Sequence, residues 1–200
     1  MKEAAVGFRA HSGWSALVAI AMNKGEPVVV ARRRVHLVKT FTYKFRQPYH
    51  TAQKLTPEEA RLFIARMRKE ARSLAARAIR TLDAELEAQG HKLTRSGLLL
   101  ASGRPLPPLP KILAAHSLIH TADGELFRQA LLHASARCRL VAVTIREREL
   151  MDAASHALRT KPVVLSRRIA ELGRPLGPPW SQDEKLASIA AWLALARKRL

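Results

Sequence analysis

Residues 116–129, HSLIHTADGELFRQ, place two histidines, an aspartate, a glutamate and an arginine within one short segment. On one continuous helix, His116 and His120 would lie on the same face, at a spacing that zinc sites use. Glu125 could complete such a site or act as a general base, and Arg128 could hold an anion. The segment therefore carries candidate groups for metal binding, proton transfer and anion binding.

The same segment can also be the start of an ordinary helix. Thr121 is a suitable N-cap, which would begin the helix after His120 and break the spacing of the two histidines. Asp123 and Glu125 would then lie in the first turn, where the helix dipole favours acids by ~0.3–1 kcal/mol each. Both interpretations remain open on the sequence alone. The catalytic candidates are Glu125, His120, Asp123 and His11, the metal-ligand candidates are His116, His120 and Glu125, and Ser12, Tyr49 and His50 are candidate neighbours from other segments.

The charge of the chain is strongly positive. The chain has 35 Lys and Arg against 16 Asp and Glu, which gives a formal net charge of +19 and a pI near 11.4. Such an excess creates an attractive field for polyanions, so we expect a nucleic acid partner, and RNA rather than DNA. The candidate contacts are Arg32, Arg33, Arg34, Lys39, Lys44, Arg46 and Arg128, together with the arginines of a long helix described below.

Other classes of protein are disfavoured by the composition. A single cysteine, Cys138, excludes an internal disulfide and a multi-cysteine zinc or iron–sulfur site. No apolar run reaches the ~18 residues that a membrane span requires, and the first residues, MKEAAVGFRAH, lack the apolar block of a signal peptide. We therefore expect a cytoplasmic protein without a membrane partner.

The elements that must position these groups begin with strands. Residues 4–22 predict either one strand with an irregular middle at residues 11–13 or two strands joined by a tight loop. Residues 28–38 predict the next strand. Residues 41–45 alternate aromatic with polar side chains, which predicts a further strand and thus an antiparallel meander.

A long helix and alternating elements follow. Residues 56–59 read Thr-Pro-Glu-Glu, a capping box with proline at the first helical position, and the helix should continue to about Gln89. Its cations could touch phosphate or form a solvated face: Arg61, Arg66, Arg68, Lys69, Arg72, Arg77 and Arg80. We then predict a buried central strand at 96–102, a rigid proline-rich loop at 103–110, a helix at 122–137, a parallel strand at 140–145, and helices at 147–158 and 162–172.

The end of the chain is predicted to be helical. Ser181 to Glu184 form another capping box, which opens a helix through Ala196. With Trp180 just before it and Trp192 at an apolar position, this helix either covers the sheet or docks onto a partner, and a second copy as partner would give a homo-oligomer. We expect an α/β domain at residues 1–160 and a helical C-terminal extension at 161–200 packed on it.

The order of the elements, a three-strand meander followed by alternating helices and strands, resembles that of the ribonuclease-H-like superfamily. This superfamily includes Holliday-junction resolvases and transposase cores. The resemblance covers roughly residues 4–158 and rests on element order. It implies a mixed sheet with a ligand crevice at the carboxyl ends of the central strands, bordered by His11, the loop at 102–110 and the segment 116–129.

The nucleases of that superfamily use an aspartate on the first strand, with further carboxylates, to hold two metal ions. The resolvase pattern, hydrophobic-Gly-hydrophobic-Asp-x-Gly, corresponds here to residues 6–11, VGFRAH, so Arg9 or His11 stands where the acid should be. A guanidinium repels magnesium. The resemblance with this departure implies a basic, bacterial-type nucleic-acid-binding module without two-metal nuclease activity.

The alternative is a metal-dependent hydrolase or nuclease with an atypical His/Asp/Glu site at residues 116–128, with a divalent metal as its cofactor. Its relocated acids would be Asp123, Glu125, Glu147, Glu149 and Asp152. Whether the protein is an enzyme at all stays open on the sequence alone.

Overall fold

The structure is a computed structural model that describes residues 1–101 and 105–197. Ser102, at the end of the predicted central strand, and the first two residues of the predicted proline-rich loop lie outside the described residues. The strands are β1 (Lys2–His11), β2 (Trp14–Asn23), β3 (Glu26–His36), β4 (His91–Leu100) and β5 (Val141–Arg146). The helices are α1 (Tyr43–Arg46), α2 (Pro48–Ala52), α3 (Pro57–Ala88), α4 (Leu109–Leu113), α5 (His116–Arg137), α6 (Leu150–Ala157), α7 (Pro162–Leu172) and α8 (Gln182–Ala196). Each helix in the described ranges is too short or too polar to serve as a membrane span.

The described strands form one mixed sheet in the order β3-β2-β1-β4-β5. β1, β2 and β3 pair antiparallel, whereas β4 pairs parallel with β1 and β5 pairs parallel with β4. Residues 4–22 form two strands joined at Gly13, whose φ of 83° is a left-handed conformation that glycine adopts without steric cost. The two-strand alternative, the next strand at β3 and the parallel strand β5 are thus confirmed.

One face of the sheet is covered by α3 and α5. Because side chains alternate along a strand, Ala4, Val6 and Phe8 of β1 point to this face and join the core that α3 and α5 complete. α3 begins at the predicted capping box, in which the Thr56 hydroxyl accepts from the amide of Glu59. The long helix predicted at residues 57–89 is confirmed, and it forms the main wall of this layer.

The opposite face of the sheet is covered by α8. Gly7 and Gly97 are register partners on β1 and β4. A Cβ at Gly7 would lie 1.8 Å from the backbone oxygen of Ala187, and one at Gly97 would lie 2.2 Å from that of Ala190. The two glycines therefore let α8 approach the middle of the sheet more closely than any side chain would allow. The capping box at Ser181 is confirmed, and α6 and α7 pack around α8.

The strand predicted at residues 41–45 is wrong. The chain leaves the sheet after His36, and residues 43–46 form the short helix α1. The amides of Phe45 and Arg46 donate to the carbonyl of Thr42, so these donors serve a helical turn rather than a strand ladder. Phe41 stacks on His36 with ring centroids 4.6 Å apart. The alternation of aromatic side chains over five residues was too short to distinguish a strand from a short helix.

The helix start predicted at Thr121 is also wrong. α5 begins at His116, six residues before the predicted first helical residue Ala122, and the Thr121 hydroxyl donates to the carbonyl of Ser117 from inside the helix. Ile119 and Ala122 extend the buried stripe of this helix toward its N-terminus, and burial of that stripe outweighs the capping preference of one threonine. Asp123 therefore does not lie in a first turn, and the dipole explanation for its presence no longer applies.

Candidate functional site

The earlier start of α5 brings His116 and His120 together. Their Nε2 atoms lie 3.0 Å apart, and both side chains are exposed. His50, on α2, completes a group of three imidazoles whose ligand atoms lie within 4.8 Å of one another. The ring of His50 lies 4.4 Å from that of His120 and 5.6 Å from that of His116, centroid to centroid. We call His50, His116 and His120 the histidine cluster.

Asp123 is buried next to the histidine cluster and contacts His50. Its carboxylate is only 2% exposed, and one oxygen lies 2.5 Å from Nδ1 of His50. The other oxygen accepts the backbone N–H of Tyr49 at 2.7 Å. Burial raises the pKa of Asp123, and the hydrogen bonds from Tyr49 and His50 oppose that rise. Asp123 thus fixes α2 on α5 and orients the His50 ring so that its Nε2 is directed away from the carboxylate.

Glu125 and Arg128 do not belong to the histidine cluster. Glu125 accepts from the Gln129 side chain at 2.6 Å and lies 3.5 Å from Nε of Arg128. Arg128 is largely buried, and burial lowers its pKa, while the negative charges of Glu125 and Glu147 oppose this. The structure therefore joins only two of the three predicted metal ligands and adds His50 as their neighbour.

A second polar centre lies at the carboxyl end of β1, where the resemblance placed the crevice. Arg9 donates through Nε and Nη2 to the Glu147 carboxylate at 3.2 and 2.9 Å, and through Nη1 to Asp183. Asp183 also pairs with Nε2 of His11 at 2.8 Å. We call Arg9, His11, Glu147 and Asp183 the Arg9 crevice. Arg9 and His11 lie on β1, Glu147 directly follows β5, and Asp183 lies in the first turn of α8.

The Arg9 crevice does not fit the two metal ions used by the nucleases of the superfamily that the element order resembles. The guanidinium of Arg9 lies between the two carboxylates, in the position that a cation held by both would take. Hard divalent cations need several free carboxylate oxygens, and here those oxygens already accept from a fixed positive charge. The other acids named from the sequence are also placed elsewhere, because Glu149 pairs with Arg146 and Asp152 is exposed on α6.

Most of the cations predicted to bind nucleic acid are engaged within the protein. Arg32 donates to the backbone carbonyls of residues 176, 177 and 179, and Arg33 pairs with Glu85. Lys39 lies 3.9 Å from a Glu70 oxygen. Three others contact aromatic rings: Arg34 lies over Trp14, Arg46 over Phe41 and Lys44 over Phe45. Of the predicted set, Arg34, Lys39 and Lys44 remain exposed.

A different set of cations lines a groove between α3 and α5. The groove has a volume of about 560 Å³. We call it the basic groove; its charged and polar lining residues are Arg68, Lys69, Arg72, Ser73, Arg80, His133 and Arg137. Its five Lys and Arg side chains are exposed, and within residues 1–101 and 105–197 none of them forms an ion pair with a carboxylate. Arg68 donates to the Tyr49 hydroxyl at 2.8 Å, which connects the groove to the helix that carries His50.

Several of these residues were not singled out from the sequence. Asp183 is visible there only as part of a capping box, and His133 and Arg137 look like the solvated end of a helix. The cations of α3 were noted, although nothing in their spacing separates those that face α5 from those that face solvent. Only the packing of α5 against α3 selects which of them share a groove.

Replacing Arg9 with methionine tests the crevice. We expect the free energy of unfolding at pH 7 to fall by roughly 1–3 kcal/mol, because two carboxylates lose a shared charged donor. Partial burial raises the pKa of Asp183, but hydrogen bonds from His11 and Arg9 outweigh this and hold it below the ordinary value. A lowered pKa in the folded state stabilises the fold above the unfolded pKa of ~3.9, and that stability is lost as the pH falls further. The difference between the two proteins in urea titrations should therefore shrink below about pH 4, and a constant difference down to about pH 2 would contradict the assignment.

Comparison with known proteins establishes the fold. No protein-family model and no curated protein sequence matches the chain. The structure of T. thermophilus RuvC in complex with a Holliday junction substrate matches with a TM-score of 0.52 and 8% identity, over 97% of this chain and 93% of that one. Another Thermus thermophilus RuvC structure matches with a TM-score of 0.49 and 11% identity, over 96% and 93% of the two chains. The five-stranded mixed sheet with its flanking helices is thus the ribonuclease-H-like fold, as the order of the elements in the sequence predicted.

Proposed function

We propose that the protein binds nucleic acid and that the basic groove between α3 and α5 is the surface that contacts the phosphate backbone. The observation that carries this proposal is the lining of the groove: five exposed Lys and Arg side chains and no acid among its lining residues. Cations that already have a carboxylate partner gain little from a phosphate, whereas unpaired cations on one surface attract it strongly.

Two further observations support a nucleic acid ligand. The net charge of +19 gives the whole molecule a field that attracts polyanions over long distances. The solved structure with a TM-score of 0.52 is that of a RuvC protein bound to a Holliday junction, so a nucleic acid is the ligand seen with this fold in that protein.

We infer further that this chain does not cut nucleic acid by the two-metal mechanism of the fold family. The support is Arg9, whose guanidinium neutralises Glu147 and Asp183 at the edge of the sheet where the acids of the mechanism would stand. A binding module fits this arrangement better than a two-metal nuclease. The alternative of a hydrolase with an atypical metal site depends on the histidine cluster.

RNA rather than DNA remains our preferred ligand. Single-stranded RNA loops present unstacked bases that pack on aromatic and guanidinium planes. Tyr43 is 60% exposed and lies beside the exposed Lys44 on α1, so a base could stack there while its phosphates meet a cation. An RNA hairpin is therefore expected to bind more tightly than the DNA hairpin of the same sequence.

Titration against salt tests the proposal. Fluorescence anisotropy with a labelled duplex, over a range of salt concentrations, should give a plot of log Kobs against log salt with a slope of roughly −4.5, since five cations release about 0.9 counterion each. A single strand should give a slope of roughly −3.5. An RNA and a DNA hairpin measured at one salt concentration decide the preference between them. A slope near zero, or no binding at low salt, would remove the phosphate contacts from the proposal.

A further inference from the structure

We propose that the histidine cluster is a binding site for one divalent first-row transition ion, with zinc as the best fit, in which His50, His116 and His120 are the ligands and Asp123 orients His50. The proposal is independent of nucleic acid binding, because none of these four residues lines the basic groove.

The spacing of the three imidazoles suits a tetrahedral ion. Bonds of ~2.0–2.1 Å at tetrahedral angles hold pairs of ligand nitrogens about 3.3 Å apart. The Nε2 atoms of His116 and His120 are already 3.0 Å apart, and the three ligand atoms lie within 4.8 Å of one another. Tetrahedral coordination therefore requires the more distant ligand atoms to approach by at most about 1.5 Å, and the rings of His116 and His120 are exposed.

The contact of His50 with Asp123 is the feature that ordinary packing of histidines does not require. In metal sites, a ligating histidine donates its other ring N–H to a carboxylate, which fixes the tautomer and makes the ligand more basic. Here Nδ1 of His50 lies 2.5 Å from a carboxylate that is 2% exposed, so Nε2 keeps its lone pair for an ion. Asp123 also supplies a negative charge that offsets part of the charge of the cation in a strongly basic protein.

The chemistry of the ligands selects the ion. Imidazole nitrogens bind zinc, copper and nickel well, whereas magnesium and calcium prefer oxygen ligands. Three protein ligands leave the fourth tetrahedral position open to water or to an oxygen of a bound anion. The site is formed by α2 and the first turns of α5, two elements that Asp123 connects by side chain and backbone contacts.

Calorimetry with Zn²⁺ on the untagged full-length protein tests the proposal. We expect one equivalent to bind. The variant with His116→Gln and His120→Gln should lose at least about a hundredfold in affinity, because two of three ligands are gone, and Asp123→Asn should lose about tenfold to a hundredfold. His156→Gln, an exposed histidine on α6, is the matched control and should bind as the unmodified protein does.

A spectroscopic measurement gives a second readout. Co²⁺ in place of zinc should show the strong visible absorption of a tetrahedral nitrogen site in the unmodified protein and in His156→Gln, and should lose it in the double variant. His116 and His120 are exposed on α5 and can be replaced without disturbing the core. The double variant therefore tests zinc binding even if Asp123→Asn fails to fold. Absence of zinc binding, or equal affinity in the double variant and the unmodified protein, would overturn the proposal.

Discussion

Replacing Gly7 with valine is expected to remove a large part of the folding stability of this protein. The new Cβ would lie 1.8 Å from the oxygen of Ala187 and 2.8 Å from the amide nitrogen of Ala191, both backbone atoms of α8 that cannot rotate away. The helix would have to leave the sheet, which exposes the apolar face of Val18 and Ile20. We expect a loss of at least about 3 kcal/mol, the upper end for overpacked cores, against a total stability of about 5–15 kcal/mol.

Urea titration followed by circular dichroism measures this effect. Ala142→Val is the matched control, because it adds a branched side chain to the exposed position of an edge strand and should change stability by less than about 0.5 kcal/mol. Gly97→Val, at the register partner of Gly7, should behave as Gly7→Val does.

Deleting residues 181–200 should also unfold the chain. A truncated protein that keeps its fold would mean that α8 is a docking helix rather than a layer of the core.

Neutralising three cations of the basic groove is expected to cause the largest loss of nucleic acid affinity. The variant carries Lys69→Gln, Arg72→Gln and Arg137→Gln, which leave the Arg68 to Tyr49 hydrogen bond intact. Three lost phosphate contacts should make the salt slope on duplex less steep by roughly 2.7 and reduce affinity at 0.1 M salt by about two to three orders of magnitude.

A variant with the same net charge separates local contacts from the long-range field. Lys24→Gln, Lys92→Gln and Lys161→Gln also remove three positive charges, from exposed positions outside the groove. Because these side chains touch no phosphate in the proposed complex, the control should lose little affinity and keep the slope of the unmodified protein. Equal losses in the two variants would indicate that binding depends on net charge alone and would remove the groove from the proposal.

Local sequence signals predicted an element well where several signals agreed on the same residues. The helices that begin at Thr56 and Ser181 each combine an N-cap with a glutamate three residues later and an apolar stripe, and both form as predicted. Single signals were less reliable. Thr121 alone did not start a helix, because burial of Ile119 and Ala122 favours an earlier start, and the alternation at residues 41–45 did not make a strand.

The candidate sites were predictable in part. The segment 116–129 does contain two members of the histidine cluster, and Arg9 does lie at the carboxyl end of the first strand. The partners of these residues come from distant segments: His50 is brought to α5 by α2, and Asp183 is brought to Arg9 by α8. No periodicity along the chain encodes such a contact.

The amino-acid sequence by itself determined the charge of the molecule, the positions of its capped helices, the order of its elements and the presence of Arg9 on the first strand. These properties depend on residue type and on neighbours a few positions away. Only the tertiary structure decided which charges are free and which histidines meet, because both depend on packing. The packing of α5 against α3 determines which cations share the groove, and the packing of α2 against α5 brings the three imidazoles together. Two glycines of the sheet let α8 lie close to it, and α8 carries the Asp183 carboxylate that pairs with Arg9.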